Sequence, residues 1–134
     1  MRSFIPACSP NFLAENPIQT YSDLNGKNLL LHEERRDAWE RWTLGLGIAP
    51  TKPNRLVRLD TMSAVVLAAE QGVGVGLVPA RLSANRFEAG GLVKLFDAEL
   101  VTNESYFLLQ RPEDRQREDL QELTNWILKE CRVA

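Results

Sequence analysis

Residues 55–79, RLVRLDTMSAVVLAAEQGVGVGLVP, constrain the fold of this chain more than any other stretch. The period of the apolar residues changes twice within it. Residues 56–59 set apolar side chains beside a basic one, the pattern of a half-buried strand. Asp60, Thr61 and Ser63 then offer side-chain oxygens to the unpaired N–H groups of a helix start. A helix over roughly 62–71 would be apolar nearly all round, through Val65, Val66, Leu67, Ala68 and Ala69, and such a helix is expected to be buried. Gly72 can take the left-handed conformation that stops it. Residues 73–78 alternate glycine with Val and Leu, as a strand packed closely against a neighbour does, and Pro79, lacking an N–H, ends that strand. Strand, helix, strand implies a parallel pair. It also places a helix N-terminus, where anions are favoured, at the carboxyl end of a strand, where open α/β sheets bind ligands.

The remaining residues extend the same alternation. Residues 4–8 read as a strand, followed by a short helix over 11–15 with Ser9 as its cap and Pro10 at its first position. One helical turn is expected at 21–24, ending at Gly26, and a strand at 29–32. Residues 36–45 form an amphipathic pattern, with Trp39 and Trp42 on one face and Asp37 spaced to pair with Arg41. Gly45, Gly47, Pro50 and Pro53 predict a loop. A helix is expected over 79–87, closed by Gly90 and Gly91, and strands over 92–96 and 106–110. Residues 97–104 read as a polar, irregular connection. Pro112 and Glu113 open a last helix whose apolar side carries Leu120, Leu123, Trp126 and Ile127. The layout is α/β.

Composition narrows the classes of function. The chain has 134 residues, enough for one domain or one lobe and part of another. A net charge of −2 and a pI near 5.5 speak against a nucleic-acid footprint on this piece. No apolar run approaches a membrane span, and the N-terminal residues do not form a secretory signal. The two cysteines, Cys8 and Cys131, read as idle thiols in a reducing cytoplasm, with one long-range disulfide as the other arrangement.

Catalytic chemistry finds little support. One histidine and two distant cysteines cannot build a zinc site, so no metal or cofactor is expected. The single His32 has no evident nucleophile near it, and no catalytic residue is assigned. Gly72, Gly74 and Gly76 resemble a dinucleotide fingerprint only in spacing: they lie within a strand, with no helix N-terminus for a pyrophosphate, and read instead as close packing. His32 is either a structural residue or a ligand contact. Arg35 and Arg36 are either a solvated charge cluster with Glu33, Glu34 and Asp37 or a grip on a ligand carboxylate. Trp39 and Trp42 read as packing rather than as a ligand shelf. Asp60, Thr61 and Met62 are the stronger binding candidates, because strand ends become a helix start there.

The ordered strings FIPACSPNFLAENPIQTYSDLNGKNLLLH, LLLHEERRDAWERW, VRLDTMSAVVLAAEQGVGVGLVPARL, GGLVKLFDAEL, ESYFLLQRPE and NWILKE resemble the effector-binding domain of LysR-type transcriptional regulators, in the subgroup of the glycine-cleavage activator and the β-lactamase regulator. The resemblance covers essentially the whole chain. It implies a Rossmann-like lobe of the type II periplasmic-binding-protein kind, with a mixed, mostly parallel sheet flanked by helices. It assigns residues 1–101 to the second lobe and 102–134 to the returning part of the first. Asp60, Thr61, Met62, Tyr106, His32 and Arg36 would contact a small polar or anionic effector in the cleft between lobes, Tyr106 with packing as its other role. DNA would be bound only through an N-terminal helix-turn-helix that has no counterpart here, and the chain is expected to be cytoplasmic, non-enzymatic and oligomeric, with no membrane partner. A stand-alone solute-binding lobe and a small α/β enzyme are the competing classes. Because half of the first lobe has no counterpart in the chain, its C-terminal strand and helix are expected to lack their sheet and to drive self-association, by exchange between copies.

Overall fold

The strand–helix–strand unit is present, and a third strand lies inside it. The computed structural model describes residues 2–102 and 106–109. Its strands are β1 (Arg2–Cys8), β2 (Asn28–His32), β3 (Arg55–Leu59), β4 (Val75–Pro79), β5 (Val93–Lys94), β6 (Glu99–Thr102) and β7 (Tyr106–Leu109). Its helices are α1 (Pro10–Glu15), α2 (Ala38–Leu46), α3 (Met62–Glu70) and α4 (Ala84–Ala89), with 3-10 turns at Tyr21–Leu24 and Glu33–Arg35. One sheet runs β3-β2-β4-β1-β6-β7, with β5 against β1. β2 is parallel to both neighbours, with Leu30 opposite Val57 on β3 and Gly76 on β4. β1 runs antiparallel to β4, β5 and β6, and β6 antiparallel to β7. The α/β class and mixed sheet match expectation. Antiparallel pairings nevertheless outnumber parallel ones among the described residues, because β1 enters against the direction of β2, β3 and β4.

Strand alternation sorts the core onto two faces. Phe4, Cys8, Leu29, Leu31, Val75, Leu77 and Leu100 point to one, where α2 packs with Trp39 and Trp42. Ile5, Ala7, Leu30 and Val78 point to the other, where α3 brings Val65, Val66 and Ala69. Trp39 and Trp42 are thus packing residues, as one reading of the sequence had it. Their indole N–H groups donate to the carbonyls of Leu30 (3.0 Å) and Ala98 (3.2 Å), so burying them leaves neither unpaired. Ser9 caps α1 by accepting from the Phe12 N–H, and Asp37 pairs with Arg41 at 2.7 Å.

Several expectations need correction. The stretch read as an irregular connection holds a strand: Glu99–Thr102 is β6, joined to β1 and β7 by its backbone. Gly45 is not in a loop but buried inside α2, which continues to Leu46 and stops at Gly47, at φ +69°. The helix after β4 begins at Ala84, five residues late, because the turn at Pro79 to Ser83 is closed by its own backbone bond. Only Val93 and Lys94 of 92–96 are paired as a strand. The apolar α3 is not buried all round: one stripe faces the sheet, and Leu67 is 54% exposed. Among the described residues β3 is an edge strand, with β2 on one side only, and Leu56 is exposed. The expected last helix and Cys131, the possible disulfide partner of Cys8, lie outside the described residues, and among these no helix is long and apolar enough to cross a membrane.

Candidate functional site

The turn between β3 and α3 carries the best-formed group of candidate residues. Thr61, with extended backbone, is the N-cap of α3, and its Oγ1 accepts from the Ala64 N–H at 3.0 Å. The cap is therefore Thr61, and Asp60 is left exposed with its side chain uncommitted to the helix start. The Asp60 carbonyl has another role. It lies 3.0 Å from His32 Nε2, and since a carbonyl only accepts, that nitrogen carries the proton. His32 thus ties the last residue of β2 to the turn that starts α3. Met62 is half-buried and packs against both cores, which fixes the first turn of the helix from beneath. The N–H groups of Met62 and Ser63, in that first turn, have no acceptor within the helix. With the helix dipole behind them they favour an anion or a ligand oxygen.

The other two candidates lie elsewhere. Arg36 is on the α2 face, 64% exposed and 3.4 Å from Glu33. It borders a small groove of about 130 Å³ with Trp39, Pro50 and Leu56. Arg35 stands over the Phe4 ring at 5.1 Å, a cation–π contact. Tyr106 opens β7, opposite Thr102 of β6, which in turn is opposite Arg2 of β1. This is the same end of the sheet as His32 and Leu59, because β1 pairs Phe4 with Pro79 at the carboxyl end of β4. Five strand spacings separate β3 from β7, roughly 24 Å at about 4.8 Å each. The structure therefore joins His32 to Asp60, Thr61 and Met62, and sets Tyr106 at the far edge of the same sheet end.

Sequence reasoning passed over Ser3 and Ser83. Their hydroxyls are buried and have no hydrogen-bond partner among the described residues. Both border the turn after β4, where Ser3 accepts from the Ala80 N–H and the Ser83 N–H donates to Pro79. Two serines in unrelated parts of a sequence carry no signal for this. Among the described residues no group of three His, Cys, Asp or Glu side chains could hold a metal. Cys8 is buried, and desolvation pushes its thiol up to about 11, so it is a packed apolar side chain rather than a nucleophile.

The profile of the LysR substrate binding domain matches residues 2–132. The chain belongs to that family. It is 30% identical over 125 residues to the glycine cleavage system transcriptional activator of Escherichia coli K12, covering 92% of this chain and 41% of that protein. It is 29% identical over 123 residues to the transcriptional activator AmpR of Citrobacter freundii, covering 91% and 41%. The effector domain of AmpR from Pseudomonas aeruginosa has the same fold, with a TM-score of 0.66 and 28% identity over 98% of this chain and 63% of that one. The chain spans about two fifths of the length of the curated relatives it matches.

Proposed function

We propose that this chain is the effector-sensing part of a LysR-type transcriptional regulator, and that it binds a small polar or anionic metabolite at the β3–α3 turn. The observation that carries the site is the helix start itself. His32, on the neighbouring parallel strand, holds the Asp60 carbonyl, and Thr61 holds the first turn of α3. The relatives support the regulatory role, since they are transcriptional activators rather than transporters or enzymes. In this reading the chain does no chemistry. DNA is engaged by another part of an oligomeric, cytoplasmic regulator, and the effector acts by binding one arrangement of that assembly better than another. In this reading Arg36 and Tyr106, which lie away from the turn, meet the effector only if a further lobe closes over the sheet end.

A thermal-shift screen of small carboxylates, phosphates and amino acids against the 134-residue chain tests the reading. A true ligand raises the midpoint with concentration, following its affinity for the folded state. Replacing Thr61 by Val should then weaken it about tenfold or more, and Asp60→Ala should weaken a ligand that carries an ammonium or other donor group while leaving a simple anion bound as well or better. A ligand whose affinity is untouched by both changes binds somewhere else and removes the assignment.

A further inference from the structure

Residues 25 and 26 are the one Asn-Gly pair in the chain. Asparagine is a chemically labile residue, and most so before glycine, whose backbone nitrogen no side chain shields. That nitrogen attacks the asparagine side-chain amide. A bond forms from the glycine nitrogen to Cγ, the bond from Cγ to Nδ2 breaks, and the proton of the attacking nitrogen leaves with ammonia. Water then opens the five-membered imide to an aspartate or an isoaspartate. Either product adds one negative charge to the surface.

In this fold both reacting groups are exposed, and both are held. Asn25 follows the turn at Tyr21–Leu24, and Gly26, at φ +79°, leads the chain into β2. Asn25 Oδ1 accepts from the Lys52 N–H at 2.8 Å, and the Gly26 N–H donates to the Lys52 carbonyl at 2.9 Å. One residue of the loop before β3 therefore binds the amide under attack and the nitrogen that attacks it. Ring closure brings the Gly26 nitrogen into line with the Asn25 Cβ, and at ψ 136° it is turned well away. The Asn25–Gly26 peptide must rotate to react, and that rotation withdraws the Gly26 N–H from Lys52. The same loop is braced next door, where the Asn54 N–H donates to the Lys27 carbonyl at 2.9 Å and Asn54 Nδ2 donates to Asn28 Oδ1 at 3.1 Å. We propose that Asn25 is a deamidation site latched by Lys52: it stays an amide while the loop before β3 lies against the start of β2, and reacts when that loop lifts. The proposal is independent of the effector reading.

Two rates measured on the 134-residue chain near neutral pH decide it. Peptide mapping by mass spectrometry times the one-dalton gain at Asn25, in the folded chain and in the chain unfolded by guanidinium. NMR of the folded chain gives the protection of the Gly26 amide against hydrogen exchange. Deamidation should be at least about tenfold slower in the folded chain, and the slowing should match the Gly26 protection within about fivefold, because both need the same local opening. Equal rates in the folded and unfolded chain overturn the proposal. Slowing that falls well short of the protection overturns it too, since the ring would then close with the Lys52 bond intact. Slowing far beyond the protection places the barrier somewhere other than the latch, and equally removes it.

Discussion

The two faces of the central sheet are packed by opposite means. On the α2 face the space is filled by large rings: Trp42 meets Trp39 edge-on at 5.6 Å and Tyr21 at 5.5 Å, with Phe96 tilted beside it. On the α3 face the buried side chains are Val, Ala, Ile and Leu, without a buried ring. A Cβ added at Gly76 would sit 3.2 Å from Val65 Cγ1. Large rings fill much of the first face, whereas on the second the missing Cβ of Gly76 makes room for Val65. The ring face makes an anchored core. On the other face the start of α3 stands at the sheet end, where His32 reaches the Asp60 carbonyl.

The largest expected effect is on the aromatic face. Trp42→Ala removes a fully buried side chain and strands the Ala98 carbonyl, and should cost about 3–5 kcal/mol. Urea denaturation checks this; a loss below about 1 kcal/mol would mean that face can collapse and is not the anchored one. The glycine run comes next and separates two causes of close packing. A Cβ at Gly74 would lie 2.3 Å from the backbone carbonyl oxygen of Asn28, which cannot swing aside, whereas the one at Gly76 meets a side-chain methyl. Gly74→Ala should cost about 1–3 kcal/mol, the range for overpacking, and Gly76→Ala less. Equal losses on thermal unfolding would show that the strand, not the contact, sets the cost. The smallest effect is at the α3 start: Thr61→Ala should cost about 1 kcal/mol, and Thr61→Ser should restore most of it. Loss of stability in both variants would point to the threonine methyl rather than the cap.

How much of this was legible depends on the range of the forces. Thr61 and Ser63 before an apolar run, Gly72 after it and the Ser9-Pro10 start are local signals, and their elements lie within a residue or two of expectation. The irregular reading of 97–104 failed because those residues have weak local preference, and β6 exists through backbone pairing to β1, nearly a hundred residues earlier. Leu67 looked like core because helical periodicity reports apolarity, not what stands opposite. The site was half legible: Asp60, Thr61 and Met62 follow from the strand-to-helix transition. The grouping with His32, and the separation from Tyr106, required the strand order.

By itself, the sequence determined the α/β class, a helix start within residues 60–63, the left-handed stop at Gly72 and the tryptophan face of α2, all of which rest on backbone dihedrals and side-chain period within a few residues. Tertiary structure decided that β2 lies between β3 and β4, that β1 runs against them, and that His32 meets the Asp60 carbonyl 28 positions away. The strand order rests on backbone hydrogen bonds, which every residue but proline can make and so leave little mark in the order of side chains, and the His32 contact follows from that order.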